Sequence, residues 1–185
     1  LISLVTNWLC ITIAVFNTIL LIGYAAKLKR TPLFGNIAVS YLAGSMFLFG
    51  GALAGVSGLL HGIPFAVMTF FAMLARELVK DAEDVDGDRA SGAETLPIRY
   101  GIRTTVRLAL SCAVLGAAAS LVPVLWWGTW YAAGILAVDV ILMYGCSRAI
   151  RCETPACVKI SQASTFLKAG MFASLVVFTL SAAFL

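Results

Sequence analysis

Six long apolar segments follow one another along this 185-residue chain, and they constrain its fold more than any other feature. Each has about 20 residues, the length at which an α-helix crosses the hydrocarbon core of a bilayer. Strands of an outer-membrane barrel are excluded, because they need only about 10 residues and alternate apolar with polar positions. The segments are predicted at residues 3–26, 34–54, 60–79, 104–124, 128–149 and 164–185.

Composition supports a protein whose main solvent is lipid. The chain is 61% hydrophobic and 12% charged, whereas a soluble globular domain carries about 25% charged residues. We therefore expect an all-α fold, a polytopic transmembrane helical bundle that forms a single domain over residues 1–185.

The lysines and arginines predict the orientation of the bundle. All 13 lie in or beside the loop after the first segment, the loop after the third and the loop before the last, whereas residues 55–62 and 123–130 carry none. Positive residues concentrate in cytoplasmic loops. We expect a multi-pass protein of the cell membrane with the basic loops in the cytoplasm and both termini of this chain outside.

Acidic residues are crowded where the third segment leaves the membrane: seven of the nine carboxylates lie between residues 77 and 94. If the helix continues past Lys80, Asp81, Asp84 and Asp88 recur at helical spacing along one face. Carboxylates so close repel one another unless a cation lies among them, and hard oxygen ligands select Mg²⁺, Mn²⁺ or Ca²⁺. Since Mg²⁺ takes one or two carboxylates plus phosphate oxygens, the three aspartates are predicted metal ligands and catalytic residues that bind a diphosphate.

The acidic segment has two alternative interpretations. A solvated loop whose acids pair with nearby arginines remains open, because charged stretches usually face solvent. An EF-hand beginning at Asp84 is excluded, because it needs Gly at its sixth and Glu at its twelfth position, where this chain has Arg89 and Thr95.

Basic and polar residues on the same predicted face complement the acids. Each of the cations alone also serves as a positive-inside anchor, but together they can cradle phosphate groups. The predicted substrate-binding residues are Tyr24, Lys27, Lys29, Arg30, Asn36, Arg76 and Lys80.

Two stretches carry a family resemblance. Residues 76–101, RELVKDAEDVDGDRASGAETLPIRYG, resemble the second aspartate-rich motif of the UbiA family of intramembrane prenyltransferases. Its D-x-x-D-x-x-x-D pattern is met by Asp81, Asp84 and Asp88. Residues 27–55, KLKRTPLFGNIAVSYLAGSMFLFGGALAG, are similar to the archaeal geranylgeranylglyceryl-phosphate geranylgeranyltransferase branch.

The resemblance implies a fold of nine transmembrane helices with two aspartate-rich motifs on one face. This chain matches the last six helices and the second motif, so we expect the first third of the domain to lie outside it. The implied activity is Mg²⁺-dependent transfer of a geranylgeranyl group from its diphosphate to geranylgeranylglyceryl phosphate, a step of archaeal ether-lipid and phospholipid biosynthesis. The expected partners are prenyl diphosphate, a lipid-phosphate acceptor and membrane lipids, with no nucleic acid and no obligate protein partner. An aromatic or tetrapyrrole acceptor and a membrane cation transporter remain alternatives.

Asp139 is the one acid in the middle of a predicted span, where a carboxylate is costly and suspected of function. A place in the substrate cavity, a proton relay and a structural bond to Lys168 or Asn17 are all open interpretations. Four phenylalanines, Phe47, Phe49, Phe70 and Phe71, are candidates for lining an apolar substrate cavity or for ordinary packing.

The five cysteines make an odd count scattered mainly through predicted helices, which is no disulfide framework. Cys152 and Cys157 are the plausible local pair, but no further ligand is near enough to complete a zinc site. We expect inert thiols.

Overall fold

The computed structural model describes residues 6–183 and, among these, all side chains but that of Arg30. Within that range each of the six predicted spans corresponds to a helix, and residues 3–5 and 184–185 of the first and last predicted spans lie outside the described residues. The described range contains no strand. Six of its helices are long and apolar enough to cross a membrane. The α-helices are α1 (Trp8–Ala26), α2 (Phe34–Leu53), α3 (Gly55–Glu83), α4 (Val85–Ala90), α5 (Leu96–Tyr100), α6 (Ile102–Ser120), α7 (Val124–Ala149), α8 (Pro155–Ser161) and α9 (Ala163–Ala183).

Close contact between α2 and α3 depends on glycine. The two helices are joined by Ala54 alone, and Gly55 takes φ +83°, a conformation that favours glycine. A Cβ built on Gly44 would lie 2.5 Å from the carbonyl oxygen of Ala66, so only a hydrogen fits at that point. The backbones therefore approach each other more closely than larger side chains would allow.

Helix α3 occupies the middle of the bundle and packs against α2, α6 and α9. Near its start, Phe65 contacts the rings of Phe47, Trp127, Tyr131 and Phe178, which come from α2, α7 and α9. At its other end, the Ser164 hydroxyl of α9 donates to Glu83 Oε1 at 2.6 Å. Both ends of α3 are thus fixed against the neighbouring helices.

The basic loops lie together at one end of the bundle, as predicted. Lys27 and Lys29 follow the C-terminal end of α1. They border the same cavity as Asp81, which lies near the C-terminal end of α3. At the opposite end, the His61 ring packs edge-on against Trp126 at 5.4 Å between centroids. The two sets of loops therefore lie at opposite ends of the spanning helices.

Asp139 makes a structural contact that the sequence analysis did not identify. Its Oδ2 accepts from the Ser120 hydroxyl at 2.6 Å, and Tyr131 donates to the Ser120 carbonyl oxygen at 2.9 Å. The proposed partners Lys168 and Asn17 were wrong: Asn17 donates to Ser45 Oγ at 2.9 Å instead. Buried and paired in this way, Asp139 joins the end of α6 to α7.

The expectation of inert thiols was wrong for one pair, because Cys152 and Cys157 form a disulfide with 5.4 Å between their Cα atoms. The chain turns sharply between α7 and α8, where the Thr154 side chain caps α8 by accepting from the Cys157 amide. That turn brings the two sulfurs within bonding reach. Cys10, Cys112 and Cys146 are free and buried.

We predict that Gly44→Ala lowers the free energy of unfolding by about 1–3 kcal/mol, because the added methyl group overpacks the α2–α3 contact. Gly50→Ala is the matched control on the same helix, since a Cβ there meets no atom within 4 Å. Thermal unfolding in detergent micelles measures both variants. Equal loss of stability in the two would contradict the assignment of Gly44 to a helix contact.

Candidate functional site

A cavity of about 670 Å³ opens at the basic end of the bundle, between α1, α2, α3 and the segment around α4. Acidic and basic residues both line it. Its lining residues are Tyr24, Ala25, Ala26, Lys27, Lys29, Thr31, Gly35, Asn36, Val39, Glu77, Asp81, Asp88, Ser91, Ala93 and Thr95. We refer to it as the acidic cavity.

Asp81 is held in place by the neighbouring helix. The Asn36 side-chain amide of α2 donates to Asp81 Oδ2 at 2.8 Å. Asn36, predicted as a substrate contact, therefore also orients a carboxylate. Glu77 lies one helical turn before Asp81 on the same face of α3 and borders the cavity too.

The three aspartates of the motif do not lie on one continuous helix. Helix α3 ends at Glu83, Asp84 leaves the helical conformation at φ −104° and ψ 14°, and α4 begins at Val85. Asp88 on α4 returns to the cavity beside Asp81, whereas Asp84 is not among the lining residues. Asp84 Oδ2 instead pairs with Lys80 Nζ at 2.7 Å.

The donor set of the acidic cavity fits Mg²⁺ with a phosphate ligand. Within residues 6–183, no three acidic, histidine or cysteine side chains are already grouped as a metal site. Mg²⁺ needs less than that from the protein, because it usually keeps one or two carboxylates and takes its other oxygens from water and substrate phosphates. Asp81 and Asp88 meet that requirement, and Thr95 Oγ1 is a buried cavity hydroxyl without a hydrogen-bond partner.

The basic side of the cavity comes from the turn between α1 and α2. Lys27 and Lys29 line it, and Thr31 Oγ1 stabilises the turn by donating to the Leu28 carbonyl oxygen at 2.7 Å. A Cβ on Gly35 would lie 2.8 Å from that same oxygen, so a glycine lets the turn lie against the start of α2. The side chain of Arg30, a predicted phosphate contact, lies outside the described residues.

Two predicted substrate-binding cations do not border the acidic cavity. Lys80 pairs with Asp84 and, at 3.7 Å, with Glu83. Arg76 Nη1 lies 2.7 Å from Glu77 Oε1 but its side chain borders a different cavity. Gly35, Thr31 and Thr95 were not predicted as site residues. Of the three, only Thr95 lies in the stretch that resembles the second aspartate-rich motif, where it begins the sequence TLPIRYG.

Two further cavities are lined mainly by apolar residues. A groove of about 300 Å³ between α2, α3 and α9 is bordered by Phe47, and a cleft between α2 and α3 by Phe70 and Phe71. Phe49 borders neither, and its carbonyl oxygen lies 4.0 Å from Cys10 Sγ. Of these four phenylalanines, Phe47 is therefore the one whose ring both stacks on Phe65 and borders the groove.

Comparison with known proteins identifies the family. The UbiA prenyltransferase family model matches residues 1–183. The chain is 56% identical over its whole length to the digeranylgeranylglyceryl phosphate synthase of Methanoregula boonei, and 53% identical over 98% of its length to that of Methanoculleus marisnigri. It spans 66% and 65% of the length of these two relatives.

A solved structure gives the same result. It concerns digeranylgeranylglyceryl phosphate synthase in membranes, and it matches 99% of this chain with a TM-score of 0.90 and 32% sequence identity. This chain covers 64% of that structure. The chain belongs to the UbiA prenyltransferase family, and its six spanning helices have the fold of that family.

Proposed function

We propose that this chain is part of a Mg²⁺-dependent intramembrane enzyme that transfers a geranylgeranyl group from its diphosphate to the free hydroxyl of geranylgeranylglyceryl phosphate. One observation carries the proposal: Asp81, Asp88 and Glu77 line the same cavity as Lys27 and Lys29, at the end of apolar spanning helices. The names of the two similar synthases agree with this donor and acceptor. An aromatic or tetrapyrrole acceptor gains no support from the described residues.

The reaction breaks the bond between C1 of the prenyl chain and the diphosphate oxygen, and the electron pair leaves with diphosphate. The acceptor oxygen then forms the new ether bond to C1 and loses its proton to the aqueous end of the cavity. Bound Mg²⁺ would supply positive charge to the departing diphosphate oxygens. Asp81 and Asp88 offer the protein ligands, with Asn36 keeping Asp81 oriented.

The remaining residues stabilise charge and exclude water. Lys27 and Lys29 donate hydrogen bonds to the same phosphate oxygens, and Arg30 is a further donor in this proposal. Tyr24 borders the cavity on the α1 side. The allylic carbon faces apolar helices, which keep water from capturing a cationic transition state.

In this proposal Asp84 completes the ligand set by exchanging its ion-pair partner Lys80 for the metal. The Lys80 and Asp84 side chains are 44% and 42% exposed, so their ion pair contributes only about 0–1 kcal/mol. Exchanging Lys80 for a divalent cation costs little in folding energy. Lys80 would then be released toward the phosphates, the role that its sequence position predicts.

We also propose that the acidic cavity opens to the cytoplasm and that both termini of this chain lie outside. The basic residues that share the cavity end of the bundle support this orientation. The diphosphate group of a prenyl diphosphate is a water-soluble anion, so a cytoplasmic opening gives it access to the acidic cavity.

We expect Asp81→Asn and Asp88→Asn each to lower the turnover number at least about 100-fold, because each removes charge from the proposed metal site. Asp86→Asn is the matched control, since Asp86 is an exposed acid of the same motif that does not line the cavity. Prenyl transfer by the membrane-embedded protein is followed with labelled geranylgeranyl diphosphate. Normal turnover in both cavity variants would refute the metal role.

Asp84→Asn should raise the Mg²⁺ concentration that gives half-maximal activity by about tenfold, the usual effect of weakening a metal's protein support. A Mg²⁺ titration at saturating substrates measures this, with Asp86→Asn again as control. An unchanged Mg²⁺ requirement would leave Asp84 as a partner of Lys80 only.

Orientation is tested with single cysteines and a membrane-impermeant maleimide applied to intact cells. The natural cysteines do not interfere, because three are buried and two are joined. We expect Ser57→Cys, at the non-basic end, to be labelled from outside and Glu94→Cys, beside the acidic cavity, to be protected until the cells are broken. The reverse pattern would overturn the cytoplasmic assignment.

A further inference from the structure

The groove between α2, α3 and α9 combines an apolar wall with two cations, and the acidic cavity does not account for it. Its wall includes Met46, Phe47, Met73, Phe172 and Leu175. Met46 and Phe172 are 66% and 61% exposed among the described residues, so the apolar wall of the groove is accessible to a ligand. A hydrocarbon chain can therefore lie along it. The two cations are Arg76 of α3 and Lys168 of α9.

These two cations lie at similar depth in the bundle. Ser164 and Glu83 are in contact where α9 begins and α3 ends. Lys168 follows Ser164 by about 6 Å along α9, and Arg76 precedes Glu83 by about 10 Å along α3, at 1.5 Å per residue. Both lie within about two turns of that contact, near the basic end of the bundle.

Among the described residues that line the groove, none is acidic, so neither cation has an anionic partner there. Lys168 is exposed and, among residues 6–183, has no hydrogen bond or ion pair. Arg76 uses one guanidinium nitrogen on Glu77, and the five N–H donors of arginine leave others available. Cations within a spanning helix are costly unless an anion accompanies them or they reach the interface.

We propose that this groove binds the lipid-phosphate acceptor, with its phosphate between Arg76 and Lys168 and its hydrocarbon chain along the apolar wall. The proposal rests on the function proposed above and assigns the second substrate to a site of its own. An arginine and a lysine provide the donors that a phosphate monoester requires. The methionine and phenylalanine side chains provide a surface for a long apolar chain.

The groove is also correctly placed for transfer. Val39 borders the acidic cavity and Ala43, one turn later on the same face of α2, borders the groove. On α3, the Arg76 side chain borders the groove while its ion-pair partner Glu77 borders the acidic cavity. An acceptor whose phosphate binds Arg76 thus lies one residue along α3 from Glu77 in the wall of the acidic cavity. The free hydroxyl of that acceptor can then reach into the acidic cavity.

The test is the effect of Lys168→Gln on each substrate separately. Loss of one charge-assisted phosphate contact should raise the KM for the lipid-phosphate acceptor about tenfold, with the KM for geranylgeranyl diphosphate unchanged. Lys168→Arg should restore the acceptor KM, because it keeps the charge. Lys159→Gln, which removes an exposed lysine of α8 away from the groove, is the matched control and should change neither KM.

Other results would overturn the proposal. If the acceptor KM is unchanged in Lys168→Gln, Lys168 does not contact the acceptor phosphate. If the KM for geranylgeranyl diphosphate rises instead, the groove binds the prenyl chain of the donor. Competition separates a lipid from a free anion: a long-chain lipid phosphate should inhibit, whereas glycerol phosphate without chains should not. Inhibition by glycerol phosphate at equal concentration would reduce the site to a simple anion site.

Direct binding separates this proposal from the proposed function. The Asp81→Asn variant should still bind labelled lipid phosphate in detergent with the affinity of the unsubstituted protein, although it does not transfer. If Asp81→Asn transfers normally, the metal proposal fails, but the binding comparison between Lys168→Gln and Lys159→Gln still decides the groove. Equal binding by those two variants would refute the groove alone.

Discussion

The close contact between α2 and α3 determines where the chemistry of this protein can take place. Gly44 lets the two backbones approach, and the same pairing brings Asn36 within 2.8 Å of Asp81 near the other end of the helices. A carboxylate near a membrane boundary has few rigid neighbours, and an amide donor on a packed helix fixes its orientation. The basic turn between α1 and α2 is positioned by the same helix, since it lies against Gly35. Packing inside the bundle thus sets the geometry of a polar cavity at its edge.

The break at Asp84 divides the acidic segment into groups with different surroundings. Asp81 and Asp88 remain in the cavity, Glu83 is buried where it accepts from Ser164, and Asp84 pairs with Lys80. Distributing the carboxylates in this way reduces the repulsion that a single stack would create in the absence of a cation. It also leaves the exposed pair of Lys80 and Asp84 as the part of the segment that is easiest to rearrange.

Much of the fold could be predicted from the sequence because its strongest signals are local. Apolar length gives the six spans, and the asymmetry of lysine and arginine gives a common basic end. Type and spacing predicted one site for Asp81, Asp84 and Asp88, and two of these three aspartates line the same cavity, whereas Asp84 pairs with Lys80. The end of α3 at Glu83 was not predictable, since no proline or glycine marks it.

Long-range partners were the other part that spacing did not reveal. For Asp139 a cavity role, a proton relay and a bond to Lys168 or Asn17 were all open, but it accepts from Ser120, 19 residues earlier, because α6 and α7 form a tight hairpin. Cys152 and Cys157 were recognised as a local pair but expected to be inert thiols, whereas the turn before α8 brings them together in a disulfide. Each contact depends on how a loop folds back, which residue periodicity does not record.

Arg76 illustrates how one residue can belong to two environments. Its position one residue before Glu77 predicts a common site, yet on a helix adjacent residues point about 100° apart. Glu77 faces the acidic cavity and Arg76 faces the groove, while their side chains meet at 2.7 Å. The pair forms a polar connection between a compartment suited to a diphosphate and one suited to a lipid anion. A carboxylate between two anionic ligands would repel both if it were alone, so the arginine's charge makes the close placement of the two proposed phosphorylated ligands electrostatically feasible.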